Sequence, residues 1–123
     1  MKILVVDDEV SMTDHLKVEL EECCPDLEVI TRNTGYQAFS RIMQGDIKLL
    51  LTDIAMPDMD GYELYKRTKD YDENIPVIMM TGFGYDPDHV VVKSRKEGLQ
   101  DVLFKPFDIN KLFELIKKRI LGE

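Results

Sequence analysis

Lys48-Leu49-Leu50-Leu51-Thr52 and Pro76-Val77-Ile78-Met79-Met80 are nearly unbroken apolar runs too short to be helices. A strand with one wet face alternates apolar and polar residues, whereas a strand covered on both faces does not, so these two belong inside a parallel sheet with helices on either side. Similar short runs occur on either side, at 3–6, 27–31 and 101–104. Each of the five is followed by a longer stretch with helical spacing, at about 9–22, 34–44, 61–70, 87–97 and 108–121. Met12, Leu16 and Leu20 line one face of the first expected helix, and Ile109, Leu112, Phe113, Ile116 and Ile120 one face of the last. Thr34 and Asp108 are placed to cap helix starts, and Gly45 and Gly98 to end helices. The fold class is α/β, built from five βα units.

At 123 residues, with 44% hydrophobic and 33% charged, the chain is the size of one folded domain spanning 1–123 and needs no disulfide or structural metal. No apolar stretch approaches the roughly 20 residues of a membrane span. Lys2 is followed by only four apolar residues before Asp7, so no export signal is read. Cys23 and Cys24 are adjacent, outside metal-ligand spacings, and read as reduced thiols of a cytoplasmic protein. A net charge of -8 opposes direct nucleic-acid binding.

In an open parallel sheet, chemistry collects beyond the carboxyl ends of the strands. Those ends here are Asp7-Asp8-Glu9, Thr52-Asp53, Thr81-Gly82 and Phe104-Lys105-Pro106. If the first and third strands are neighbours, Asp7, Asp8 and Asp53 converge, and two such charges at about 4 Å repel by roughly 4 kcal/mol at an effective dielectric of 20. Such a cluster needs a cation, and hard oxygen donors favour Mg²⁺ or a similar ion. Lys105 adds a point charge for phosphate and Thr81 a hydroxyl donor. A carboxylate nucleophile, a divalent ion, an ammonium and a hydroxyl are what phosphoryl transfer requires.

Asp7-Asp8-Glu9, the run from Leu51-Thr52-Asp53 to Asp60-Gly61, Pro76 to Thr81-Gly82, and Gly98 through Lys105-Pro106-Phe107 together resemble the response-regulator receiver family of two-component signalling. The resemblance covers essentially the whole chain. It implies a five-stranded parallel sheet of order 2-1-3-4-5 flanked by five helices. It also implies Asp53 as phosphoacceptor, Asp8 as direct Mg²⁺ ligand, Asp7 acting through a metal-bound water, and the backbone carbonyl of Ala55 as a further ligand. Thr81 and Lys105 would contact the phosphoryl group, and the Lys105-Pro106 bond would be cis. The partners implied are a histidine kinase or a histidine phosphotransfer domain, docking near Val10, Met12, Pro106 and Phe107. A homodimer would use the face made by the helix expected at 87–97, the fifth strand and the last helix. Activity would be limited to self-phosphorylation from phosphohistidine and slow self-dephosphorylation, since neither Ala55 nor Phe83 offers a polar side chain to orient water.

Blander readings exist for each group. Asp7 and Asp8 could cap the first helix, and Asp58, Asp60 and Gly61 are read only as a turn. His15 and His89 read as exposed helical residues, and Met56, Met59, Met79 and Met80 as packing. The chain departs from the family where Val102 replaces the aromatic ring usual three positions before the lysine, so the usual rotamer switch cannot operate there. Two rival functions are a receiver-like docking module that does not use phosphate, and a flavodoxin-like cofactor binder, whose phosphate cradle Asp7-Asp8-Glu9 would repel. A stand-alone regulator and a module of a larger protein, such as a hybrid kinase, both fit the sequence.

Overall fold

The computed structural model describes residues 1–82 and 101–122. Five strands, β1 (Lys2–Val6), β2 (Glu28–Arg32), β3 (Ile47–Asp53), β4 (Val77–Thr81) and β5 (Asp101–Phe104), form one parallel sheet in the order β2-β1-β3-β4-β5. Four helices flank it among the described residues: α1 (Val10–Cys23), α2 (Gly35–Met43), α3 (Gly61–Tyr71) and α4 (Ile109–Leu121). The helix expected at 87–97, with Gly98 and His89, lies outside the described residues, as does Phe83.

The β3 residues Leu49, Leu50 and Leu51 are fully buried, because alternate side chains feed two separate cores. Leu4, Val6, Leu50 and Met79 pack with Ala38, Ile42 and Leu64 of α2 and α3. Ile3, Val5, Leu49, Leu51 and Met80 pack on the other face with Leu16 and Leu20 of α1 and Leu112 and Ile116 of α4. Helices therefore cover both faces, α2 and α3 on one and α1 and α4 on the other.

The capping chemistry is local. Thr34 Oγ1 accepts from the Gln37 amide at 3.1 Å, and Asp108 Oδ1 from the Asn110 amide at 2.9 Å. Gly45, at φ 93, takes the left-handed conformation that ends α2. Strand β4 starts one residue after Pro76, which has no N–H to give, although its carbonyl still accepts from Leu50 N at 3.0 Å. Strand β3 runs one residue past the apolar pattern, because Asp53 pairs in register with Met80.

Candidate functional site

Parallel alignment of β1, β3, β4 and β5 brings their carboxyl ends to one edge of the sheet. One carboxylate oxygen from each of Asp7, Asp8 and Asp53 lies within 4.8 Å of the others. Asp7 is fully buried and held from several directions. Its Oδ1 accepts from the Glu9 amide at 3.0 Å, its Oδ2 from Lys105 Nζ at 2.7 Å, and its backbone carbonyl from Asn33 Nδ2 at 2.8 Å. Asp53 is also buried, with Oδ2 at 3.6 Å from Lys105 Nζ. Asp8 is exposed at the rim.

Burial pushes the Asp53 carboxyl above its ordinary value; the Lys105 ammonium pulls it back down and the Asp7 charge pushes it further up. Asp8 is raised by burial first, then by its hydrogen bond and repulsion with Asp7. For Lys105, burial alone would lower the value, but the hydrogen bond to Asp7 and the charges of Asp53 and Asp7 outweigh it and hold the ammonium charged. The acids are thus short of positive charge, and one lysine partly supplies it.

The three acids fit a magnesium ion. An octahedral ion bound at about 2.1 Å separates adjacent ligand oxygens by about 3 Å and opposite ones by about 4.2 Å, so small side-chain rotations close this cluster around it. All three donors are hard oxygens. Thr81 Oγ1, at the end of β4, is buried and has no hydrogen-bond partner among the described residues. A buried hydroxyl so left costs free energy unless a ligand oxygen meets it. Beside it a Cβ on Gly82 would stand 3.7 Å from Lys105 Cδ, an ordinary contact. The Lys105-Pro106 bond is cis, as the resemblance implies.

Two supporting residues were not legible as such in the sequence. Asn33 Nδ2 bridges the Asp7 carbonyl and Thr13 Oγ1, at 2.8 and 3.1 Å, tying the β2–α2 loop to the acid turn and α1. Asp58 does more than form a turn: its two oxygens accept from the Gly35 and Tyr36 amides, each at 3.0 Å, so the loop after Asp53 caps α2. Asp60 caps α3 through the Glu63 amide at 2.9 Å, as a turn acid would. His15 is exposed and pairs with Glu19 at 2.9 Å, and all four methionines named from the sequence are buried.

Residues 3–117 match the family described as the response regulator receiver domain. The chain belongs to that family. The receiver is 37% identical over 110 residues to the transcriptional regulatory protein ZraR of Klebsiella oxytoca, covering 89% of this chain and 24% of that protein. It is 34% identical over 117 residues to sporulation initiation phosphotransferase F of Bacillus subtilis, covering 95% and 91%. Its fold is similar to that of the beryllofluoride-activated NtrC4 receiver domain dimer, with a TM-score of 0.86, 30% identity, and coverage of 98% and 97%. It spans about a quarter and about a half of the lengths of the first two regulators it matches, at 24% and 48%. Phosphorylation and Mg²⁺ binding at an acidic pocket are typical of receivers of two-component systems, and Asp7, Asp8 and Asp53 form an acidic cluster in this chain. No helix among the described residues is long and apolar enough to cross a membrane.

Proposed function

We propose that this receiver, as one unit over 1–123, takes a phosphoryl group from a partner's phosphohistidine onto Asp53 in the cytoplasm. The observation that carries the reading is the meeting of Asp7, Asp8 and Asp53 within 4.8 Å, with Lys105 Nζ 2.7 Å from one acid and 3.6 Å from another. Asp7, Asp8, Asp53 and the Ala55 carbonyl are the groups that would hold Mg²⁺. Bound there, the ion supplies charge neutralisation for the phosphoryl oxygens.

The chain's own residues do the rest. An Asp53 carboxylate oxygen attacks phosphorus in line, the N–P bond of the donor breaks, and its electron pair returns to the imidazole ring. Lys105, freed from part of its pairing with Asp7, follows the charge onto the phosphoryl oxygens, and the buried Thr81 hydroxyl donates to one of them. Asn33 and the Glu9 amide hold the Asp7 turn while this happens. Ala55 is exposed and carries no side-chain donor, which supports slow hydrolysis of the acyl phosphate.

The donor's docking site is proposed beside the pocket, where Met12, Leu16, Pro106, Phe107 and Ile109 line a groove between α1 and the start of α4. Val10, 56% exposed, lies at the α1 end of the same side. Self-association through β5 and α4 is the further partner proposal, in keeping with the dimer formed by the NtrC4 receiver. Mass spectrometry after incubation with acetyl phosphate and Mg²⁺ tests the reading. The wild-type chain should gain one phosphoryl mass and Asp53→Asn none; equal labelling of the two would end it.

A further inference from the structure

Residues 29–45 contain no Asp or Glu, although 24 of the 123 residues are acidic. This stretch runs through β2 and α2 and carries Arg32 and Arg41, so it is a basic island on a chain of net charge -8. The fold brings both arginines to one shallow groove, lined also by Tyr36, Gln37, Ser40 and Gln44. Among the described residues, none that lines it is acidic. The groove lies on the α2–α3 side, whereas the proposed donor-docking groove lies on the α1–α4 side.

Both guanidinium groups are positioned but not consumed. Arg32 Nη1 donates to the Thr31 carbonyl at 2.7 Å, and Arg41 Nη1 to the Gly45 carbonyl at 3.0 Å. Each guanidinium has five N–H donors, so carboxylate-binding capacity remains after its described bond. Tyr36, 55% exposed, is backed on one ring face by Arg67 at 5.4 Å, leaving a fixed aromatic surface for an apolar side chain.

Other ligands fit less well. The α2 N-terminus beside the groove, which could otherwise cradle a free phosphate, already holds the two oxygens of Asp58. An added strand would need the outer edge of β2, but the Val29 amide is bonded to Glu21 and the Val29 and Thr31 carbonyls to Lys17 and Arg32. A nucleic acid, charged at every phosphate, would need a longer track of lysines and arginines than the two arginines of this groove. We propose that this groove docks an acidic segment of a partner protein, with Asp or Glu side chains on Arg32 and Arg41 and an apolar side chain against Tyr36. The inference is independent of phosphoryl chemistry at Asp53, and the two surfaces can be occupied together.

The test is an amide chemical-shift titration of the full chain with a synthetic Glu-rich peptide carrying one Phe. Shifts should concentrate at Tyr36, Gln37, Arg41 and Gln44. Reversing both charges with Arg32→Glu and Arg41→Glu should weaken binding by about tenfold or more, while Arg41→Lys stays within about threefold. Acetyl-phosphate labelling of Asp53 should be the same in all variants, which shows the fold intact; should the double variant not fold, Arg41→Gln alone must weaken binding. Shifts centred elsewhere, unchanged affinity after charge removal, or a DNA duplex or inorganic phosphate filling the groove at lower concentration than the peptide would overturn the proposal.

Discussion

Lys105 stands between two buried acids, 2.7 Å from Asp7 and 3.6 Å from Asp53, and so occupies part of the electrostatic role that a divalent ion would take. The two cations compete for the same oxygens before any phosphoryl group arrives. Replacing Lys105 with Met should therefore slow labelling of Asp53 yet tighten Mg²⁺ binding. A unit charge about 5 Å away is worth roughly 3 kcal/mol at an effective dielectric of 20, and solvent at the half-open pocket screens much of it, so the gain should be about tenfold in affinity. A magnesium titration followed by NMR reads this directly; equal or weaker binding in Lys105→Met would contradict the competition. Gly61 and Gly82 differ in the room around them. A Cβ at Gly61 would lie 2.6 Å from the Asp53 carbonyl oxygen and 2.9 Å from Ile54 Cα, both backbone, whereas at Gly82 the nearest atom among the described residues, Lys105 Cδ, is 3.7 Å away. Gly61→Ala should cost about 1–3 kcal/mol in urea unfolding, and Gly82→Ala far less. Comparable losses at the two positions would show that the close approach is not what fixes Gly61. The acids and Lys105 could be read from sequence because each follows an apolar strand. Asn33 could not, since its partners Asp7 and Thr13 are joined to it only by the tertiary fold.

Elements were legible wherever a local signal set their ends. Thr34, Gly45 and Asp108 mark the start and stop of helices that the structure places within a residue or two of the apolar pattern. The capping of α2 by Asp58 was not legible, because the carboxylate comes from a loop 22 or 23 residues further along the chain. That bond joins the loop following Asp53 to α2, and it should be sensitive to acid. Burial acts to raise the Asp58 carboxyl, but the Tyr36 and Gly35 amides outweigh it and hold the value below the ordinary 3.8. A group whose folded value is depressed stabilises the fold above its unfolded value and loses that contribution as the pH falls through the folded one. Asp58→Ala should thus cost about 1 kcal/mol near neutral pH. The gap from wild type should close as the pH drops below 3.8 and through the depressed value. Urea unfolding across the acid range checks this, and a gap that stays constant would mean that packing around Asp58, not its charge, was lost.

An open five-stranded sheet has two edges, and the β2 edge is closed by side chains rather than by another strand. Glu28 N bonds the Met1 carbonyl and the Arg32 carbonyl accepts from Asp7 N, so these residues face β1, and alternation turns Val29 and Thr31 outward. Val29 N donates to Glu21 Oε2 at 2.9 Å, the Val29 carbonyl accepts from Lys17 Nζ at 2.6 Å, and Lys17 and Glu21 pair at 3.0 Å. Two charged residues one turn apart on α1 thus take up both outward backbone groups of Val29, which a second chain would need in order to add a strand there. Replacing both with Ala removes one charge of each sign, so the net charge stays at -8 and general repulsion between molecules is unchanged. The core leucines of α1, Leu16 and Leu20, are untouched. The double variant should therefore remain folded but form larger species than wild type at equal concentration in light scattering, through strand-to-strand contact at Val29. If its size distribution matches wild type, the edge is protected by something other than this pair, and the Lys17–Glu21 contact reduces to an exposed ion pair worth a few tenths of a kcal/mol, about what i,i+4 helix pairs contribute.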